Sequence, residues 1–128
     1  MRKLICLFFG LLVIAFSGCK VTLINNNKGS LVIRNESGNP DVEIFAVYVM
    51  QKETSGYNLV FSGSIKDGSS HFIELEAGEY SVMIYAKTTA HGIFSSEKKY
   101  ETGYNIYKEL DENGFVTVIF DGKGIYFE

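Results

Sequence analysis

The sequence predicts an all-β protein, an antiparallel β-sandwich of about seven to nine strands. Turn clusters rich in Gly, Asn, Asp and Ser recur every 8–12 residues or so from Leu31 onward, the spacing of short strands in a sandwich or barrel. Val, Ile, Tyr and Phe fill the intervals, often alternating with polar residues. No stretch carries a long, capped stripe of period 3.6, so little helix is expected.

The elements follow in order. Leu31–Arg34 is a short strand, closed by the turn cluster Asn35–Pro40. Val42–Met50 is apolar on both faces, which suits a central strand or a bulged one. Thr54–Gly56 turns the chain into Tyr57–Ile65. Asp67-Gly68 and Asp121-Gly122 are hairpin-type dipeptides, because Gly accepts the positive φ such turns require. Ser69–Leu75 comes next, then Glu79–Lys87, where Tyr80, Val82, Ile84 and Ala86 form a face for the core. Ser81, Met83, Tyr85 and Lys87 form its half-exposed reverse. Ile93–Glu101, Tyr104–Leu110, Phe115–Phe120 and Ile125–Phe127 complete the set. Val47, Val49, Val116, Val118 and Phe120 are further core candidates.

The N-terminus reads as an address. Arg2 and Lys3 precede a 13-residue apolar run, Leu4–Phe16. A membrane-spanning helix needs about 20 such residues, whereas a secretory leader does not. The run ends in Phe16-Ser17-Gly18-Cys19, which resembles the lipobox of bacterial lipoproteins, with Phe16 where an aliphatic residue is usual. That resemblance implies cleavage after Gly18 and diacylation of Cys19. Two or more acyl chains anchor a protein stably, so the expected partner is a membrane, reached through the lipid. The expected location is the cell envelope. Lys20 stands where an Asp would signal inner-membrane retention, which favours the outer membrane where there is one.

The expected organisation is a leader at residues 1–18, a lipidated tether at 19–30 and a β-sandwich at 31–128. A flexible coil over Val21–Ser30 spans about 16–19 Å, which keeps the domain close to the membrane surface. Cys6 leaves with the leader, so the mature chain keeps Cys19 as its only thiol and contains no disulfide. The charge falls from −3 to −5 when Arg2 and Lys3 are removed, which argues against a nucleic-acid partner.

One internal stretch carries a second resemblance. Leu75, Gly78, Tyr80 and Val82 form a Leu-x-x-Gly-x-Tyr-x-Val pattern similar to that of prealbumin-like, CnaB-like and other Ig-like bacterial sandwiches. In this pattern Gly78 is expected to let the chain reverse, and Tyr80 to bury its ring and bond its hydroxyl back across a corner. The Lys–Asn isopeptide bond common in CnaB-like domains is not carried over, because nothing in the sequence identifies its triad.

Chemistry-bearing residues are sparse. His71 sits on a strand and His91 in a loop, without the local spacing of a metal or acid–base site. Ser95 and Ser96 have neither His nor Asp at a diagnostic distance, and no nucleophile elbow or phosphate loop occurs. Two acidic turns, one with Glu74, Glu76 and Glu79 and one over Glu109–Gly114, offer oxygens of the kind calcium takes. Neither has the offsets of an EF-hand loop, and solvated turns explain both. No cofactor, no metal and no enzymatic activity are expected.

Tyr100, Tyr104 and Tyr107 flank Gly103 and are the candidate ligand-binding residues, although strand preference explains the same enrichment. The function expected is therefore a non-catalytic binding or accessory module for an envelope protein or an extracellular ligand. One alternative is a carbohydrate- or peptide-binding module that uses the Tyr-rich loop. Another is a subunit or accessory of a surface fibre completed by strand addition.

Overall fold

The computed structural model describes residues 27–128 except His91 and Tyr104. Cys19, the segment Phe16–Cys19 and Val21–Ile24 therefore lie outside the described residues. Among the described residues there are nine strands: β1 Lys28–Asn35, β2 Val42–Gln51, β3 Asn58–Lys66, β4 Ser70–Glu76, β5 Gly78–Ala90, β6 Phe94–Glu101, β7 Lys108–Leu110, β8 Phe115–Phe120 and β9 Ile125–Phe127. Among the described residues no helix is long and apolar enough to cross a membrane.

The strands form two sheets packed as a sandwich. Sheet I has the order β9-β8-β1-β4, and sheet II has the order β3-β2-β5-β6, with β7 also paired to β5. All neighbours are antiparallel except β1 and β8, which run parallel from Ser30 opposite Phe115 to Asn35 opposite Phe120. The first described strand thereby closes on the eighth.

The core fills the space between the sheets. From sheet I it takes Leu31, Ile33, Ile73, Val116, Val118 and Phe120. Sheet II supplies Ile44, Val47, Val49, Ile65, Tyr80, Val82, Ile84 and Ala86. Each is an inward residue of its strand, and burial of the Val, Leu, Ile and Phe side chains among them contributes about 1.5–3 kcal/mol apiece. The alternation along β5 stands as expected at Tyr80, Val82, Ile84 and Ala86. Strand β2 is both central and bulged: its pairing shifts between Ile44 and Ala46, leaving Phe45 as the extra residue.

Several local expectations are corrected. β1 begins at Lys28, three residues ahead of the Leu31 boundary, so part of the expected tether is strand. Gly29 explains how: a Cβ there would lie 2.5 Å from the Asp111 carbonyl, so only Gly lets β1 pass under the β7–β8 link. The seventh strand is three residues, Lys108–Leu110, because Gly103 and Asn105 take positive φ and interrupt the pairing with β5.

Asp67-Gly68 does form a turn, with Gly68 at φ +84°. It is not a hairpin, because β3 and β4 belong to different sheets. Asp121-Gly122 does close a true hairpin between β8 and β9, with Asp121 Oδ1 accepting from the amides of Lys123 and Gly124. Those two bonds hold the Asp121 carboxyl below its ordinary pKa. Gly78 likewise does not reverse the chain: it opens β5 after the chain has crossed from sheet I to sheet II at Ala77.

Two polar ties close the ends of the sandwich. At one, Asn35 is fully buried at the end of β1. Its Nδ2 donates to the carbonyls of Val42 and Ile65 at 3.1 and 3.0 Å, both in sheet II, and its Oδ1 accepts from the Ser37 amide. Its main chain receives Gly68 N–H and donates to Ser69 O. At the other, the Tyr80 hydroxyl donates to the Glu76 carbonyl at 2.6 Å, the expected corner bond across the sheet change. Burial, followed by the charge of Glu76, raises the Tyr80 pKa.

Two outcomes follow for stability. Asn35→Ala leaves two buried carbonyls without a donor and should lower the unfolding free energy by about 3 kcal/mol in a urea titration. Asn35→Asp should recover little of this, since an ionised carboxylate donates nothing; full stability in either variant would remove the tie from this account. Tyr80→Phe should cost about 1 kcal/mol at neutral pH. Because the folded pKa of Tyr80 is raised, its contribution is complete below the ordinary phenol pKa and fades as pH climbs through the folded value. The variant should therefore lose less stability than the parent on the alkaline side, and equal alkaline slopes would contradict the assignment.

Candidate binding surfaces

Alternation gives each sheet an outer face, and both carry aromatic rings. On sheet I, β1 presents Ser30, Val32 and Arg34 outward, and the register sets Phe72 of β4 opposite Val32. On the other side β8 sets Phe115 opposite Ser30 and Ile119 opposite Arg34, and Tyr126 of β9 stands opposite Ile119. Phe72 is 66% exposed, Phe115 73% and Tyr126 49%, while Val32 and Ile119 on the same face are buried. The face thus has an apolar floor and three projecting rings. Its charges are marginal: Arg34 reaches Glu36 at 3.6 Å and Glu128 at 3.9 Å, exposed pairs worth less than about 1 kcal/mol each.

The outer face of sheet II covers itself. The Tyr85 ring packs against Phe45 and Tyr48, with centroids 6.1 and 5.7 Å apart. The bulge at Phe45 brings this third ring into the cluster. Beside it, Ser81 is buried and shares hydrogen bonds with Tyr57 and Thr102 at 3.3 and 3.1 Å. Glu43 accepts from the Ser64 hydroxyl, and that bond, aided by Lys66 and Lys87, lowers its pKa.

The structure separates the candidate tyrosines. Tyr100 belongs to β6 opposite Ile84, an inward position, and its ring packs on Phe120 at 4.9 Å between centroids. It is a margin of the core and not part of a loop surface. Tyr104 lies outside the described residues. Tyr107 is half-buried in the segment that links β6 to β7, beside the exposed Ile106. That segment is no hairpin tip: β6 and β7 lie end to end along the same edge of β5, so the chain bows out and returns. Thr102 anchors its start, donating its amide to Val82 O and accepting Val82 N–H on its hydroxyl.

His71 is exposed on β4 under the Phe61 ring, 4.3 Å between centroids, and His91 lies outside the described residues. Among the described residues no group of three or more His, Cys, Asp or Glu side chains is placed to hold a metal ion. Two open troughs occur. One of about 320 Å³ lies between β3 and β4, floored by Val49, Val60, Leu75 and Tyr80. The other, about 240 Å³, is bordered by Gln51, Lys52, Gly78, Glu79 and Glu109.

No known protein family, curated protein or solved structure matches the chain.

The projecting rings of sheet I escaped sequence reasoning because a strand's exposed face is set by sheet packing. Phe72 and Phe115 do fall out of phase with the core residues Ile73 and Val116 beside them, which was the available signal. The placement of Tyr100 has a direct consequence. Tyr100→Ala should lower stability by about 2 kcal/mol, whereas Tyr107→Ala should cost less than about 1 kcal/mol. Equal, small effects in thermal or urea unfolding would return Tyr100 to the surface.

Proposed function

We propose that the chain is a small lipid-anchored protein of a bacterial cell envelope, whose β-sandwich is a non-catalytic binding or accessory module. The anchoring part rests on Phe16-Ser17-Gly18-Cys19 following the Leu4–Phe16 run, with Cys19 carrying the lipid and the outer membrane as destination where there is one. The binding part is supported by one observation, the three exposed rings of Phe72, Phe115 and Tyr126 on the outer face of sheet I. Exposed aromatic groups over an apolar floor are the composition of a recognition surface, and they gain by being covered. Held near a membrane, such a face would meet another envelope component or an extracellular ligand with a complementary apolar patch.

Two measurements test this reading. Cys19→Ala should move the protein out of the membrane fraction, and unchanged partitioning removes the anchor. A photo-crosslinking side chain placed at Phe72 or Phe115 in cells should yield a discrete adduct, while the same group at Glu112 should not. Equal yields at all three positions, or none at any, would count against a binding face on sheet I.

A further inference from the structure

Among the described residues the two sheets leave four edges: β9 and β4 in sheet I, and in sheet II β3 on one side and β6 with β7 on the other. Unpaired edges invite pairing with other chains, and folded proteins normally blunt them. Three of these edges are blunted. β9 is only three residues long. β3 is twice shifted against β2. β4 lies beside β3 across the flank, where the Phe61 ring packs on the exposed His71. β6 pairs with β5 over eight consecutive residues without a shift, and most of it is exposed; β4 shares both properties over seven residues but runs beside β3.

We propose that β6 pairs antiparallel with β6 of a second copy of this chain, joining two copies of sheet II into one continuous sheet. The main chain sets the phase. Thr102 N–H donates to Val82 O, so alternation directs the main-chain groups of Tyr100, Lys98 and Ser96 toward β5. Those of Ser95, Glu97, Lys99 and Glu101 point away, toward the open edge. A twofold axis at Lys98 then sets Glu97 of each copy opposite Lys99 of the other and Ser95 opposite Glu101, every pair with outward main-chain groups.

Charge complementarity favours this register. An axis one step earlier, at Glu97, would oppose two Glu97 side chains, and one at Lys99 would oppose two Lys99 side chains. At the chosen axis the two Lys98 residues meet, but each ammonium is drawn over its own Tyr100 ring, 5.4 Å from the centroid. Lysines on an edge usually repel a partner strand. Here Glu97, Lys99 and Glu101 alternate along one face, with Lys99 Nζ 3.4 Å from its own Glu101, and a second copy would bring its Glu97 to the other side of that ammonium. The pairing uses the same patch on both copies, so it closes at two and does not propagate into a fibre. It is independent of the anchor and of the sheet I face.

Sedimentation equilibrium of the full chain in density-matched detergent tests the pairing. The expected particle holds two chains. Glu97→Lys should raise the dissociation constant by about tenfold or more by opposing Lys99, and adding Lys99→Glu in the same chain should restore it. Glu97→Pro removes an outward N–H without touching the β5 ladder, so it should give a folded single chain with unchanged far-ultraviolet circular dichroism. A single-chain mass for the parent at every soluble concentration overturns the proposal. So does a particle larger than two, or failure of the double swap to restore association.

Discussion

The sandwich depends on one buried amide. Asn35 is the last residue of β1, and its side chain bonds main-chain carbonyls at the start of β2 and the end of β3, across the gap between sheets. Its own main chain takes the β3–β4 turn through Gly68 and Ser69. Four strands therefore meet at a single residue. An amide suits the place because it offers two donors and an acceptor without charge, and all of them are used. A hydrophobic residue of similar size would leave carbonyls of both sheets buried and unpaired, and a carboxylate would repel them.

The opposite end is tied more lightly, by Tyr80 to the Glu76 carbonyl where the chain changes sheets at Ala77. Between these ties the core is almost wholly apolar. Both described troughs are open ones. Sheet II has covered its face with Phe45, Tyr48 and Tyr85, whereas sheet I leaves Phe72, Phe115 and Tyr126 projecting. The outer faces of the two sheets thus differ.

Much of this was readable from local pattern. Strand positions follow from alternation and turn residues, which are properties of neighbours in the chain, and the nine predicted runs correspond to the nine strands. The tyrosine corner was readable for the same reason, since Tyr80 and Glu76 are four residues apart. Sheet membership is not local. The Gly68 turn has the positive φ expected of it, but nothing near it says that β3 and β4 enter different sheets. The parallel pairing of β1 with β8 joins residues about eighty positions apart, beyond any local signal. Asn35 sat at the head of a polar turn cluster and read as a turn residue, because only the packed sheets bury it. Tyr100 was grouped with Tyr104 and Tyr107 by proximity in sequence, whereas its phase on β6 faces it toward Phe120.

The central claim is that the Asn35 amide is sealed inside the junction of the two sheets. Hydrogen exchange of its two Nδ2 protons, followed by nuclear magnetic resonance, tests this most directly. Sealed donors open only with the fold, so both protons should exchange at the rate of global unfolding and respond to denaturant with the global slope. Exchange as fast as that of the exposed Asn39 amide would mean that the junction opens locally, and the sandwich would have to be held together elsewhere.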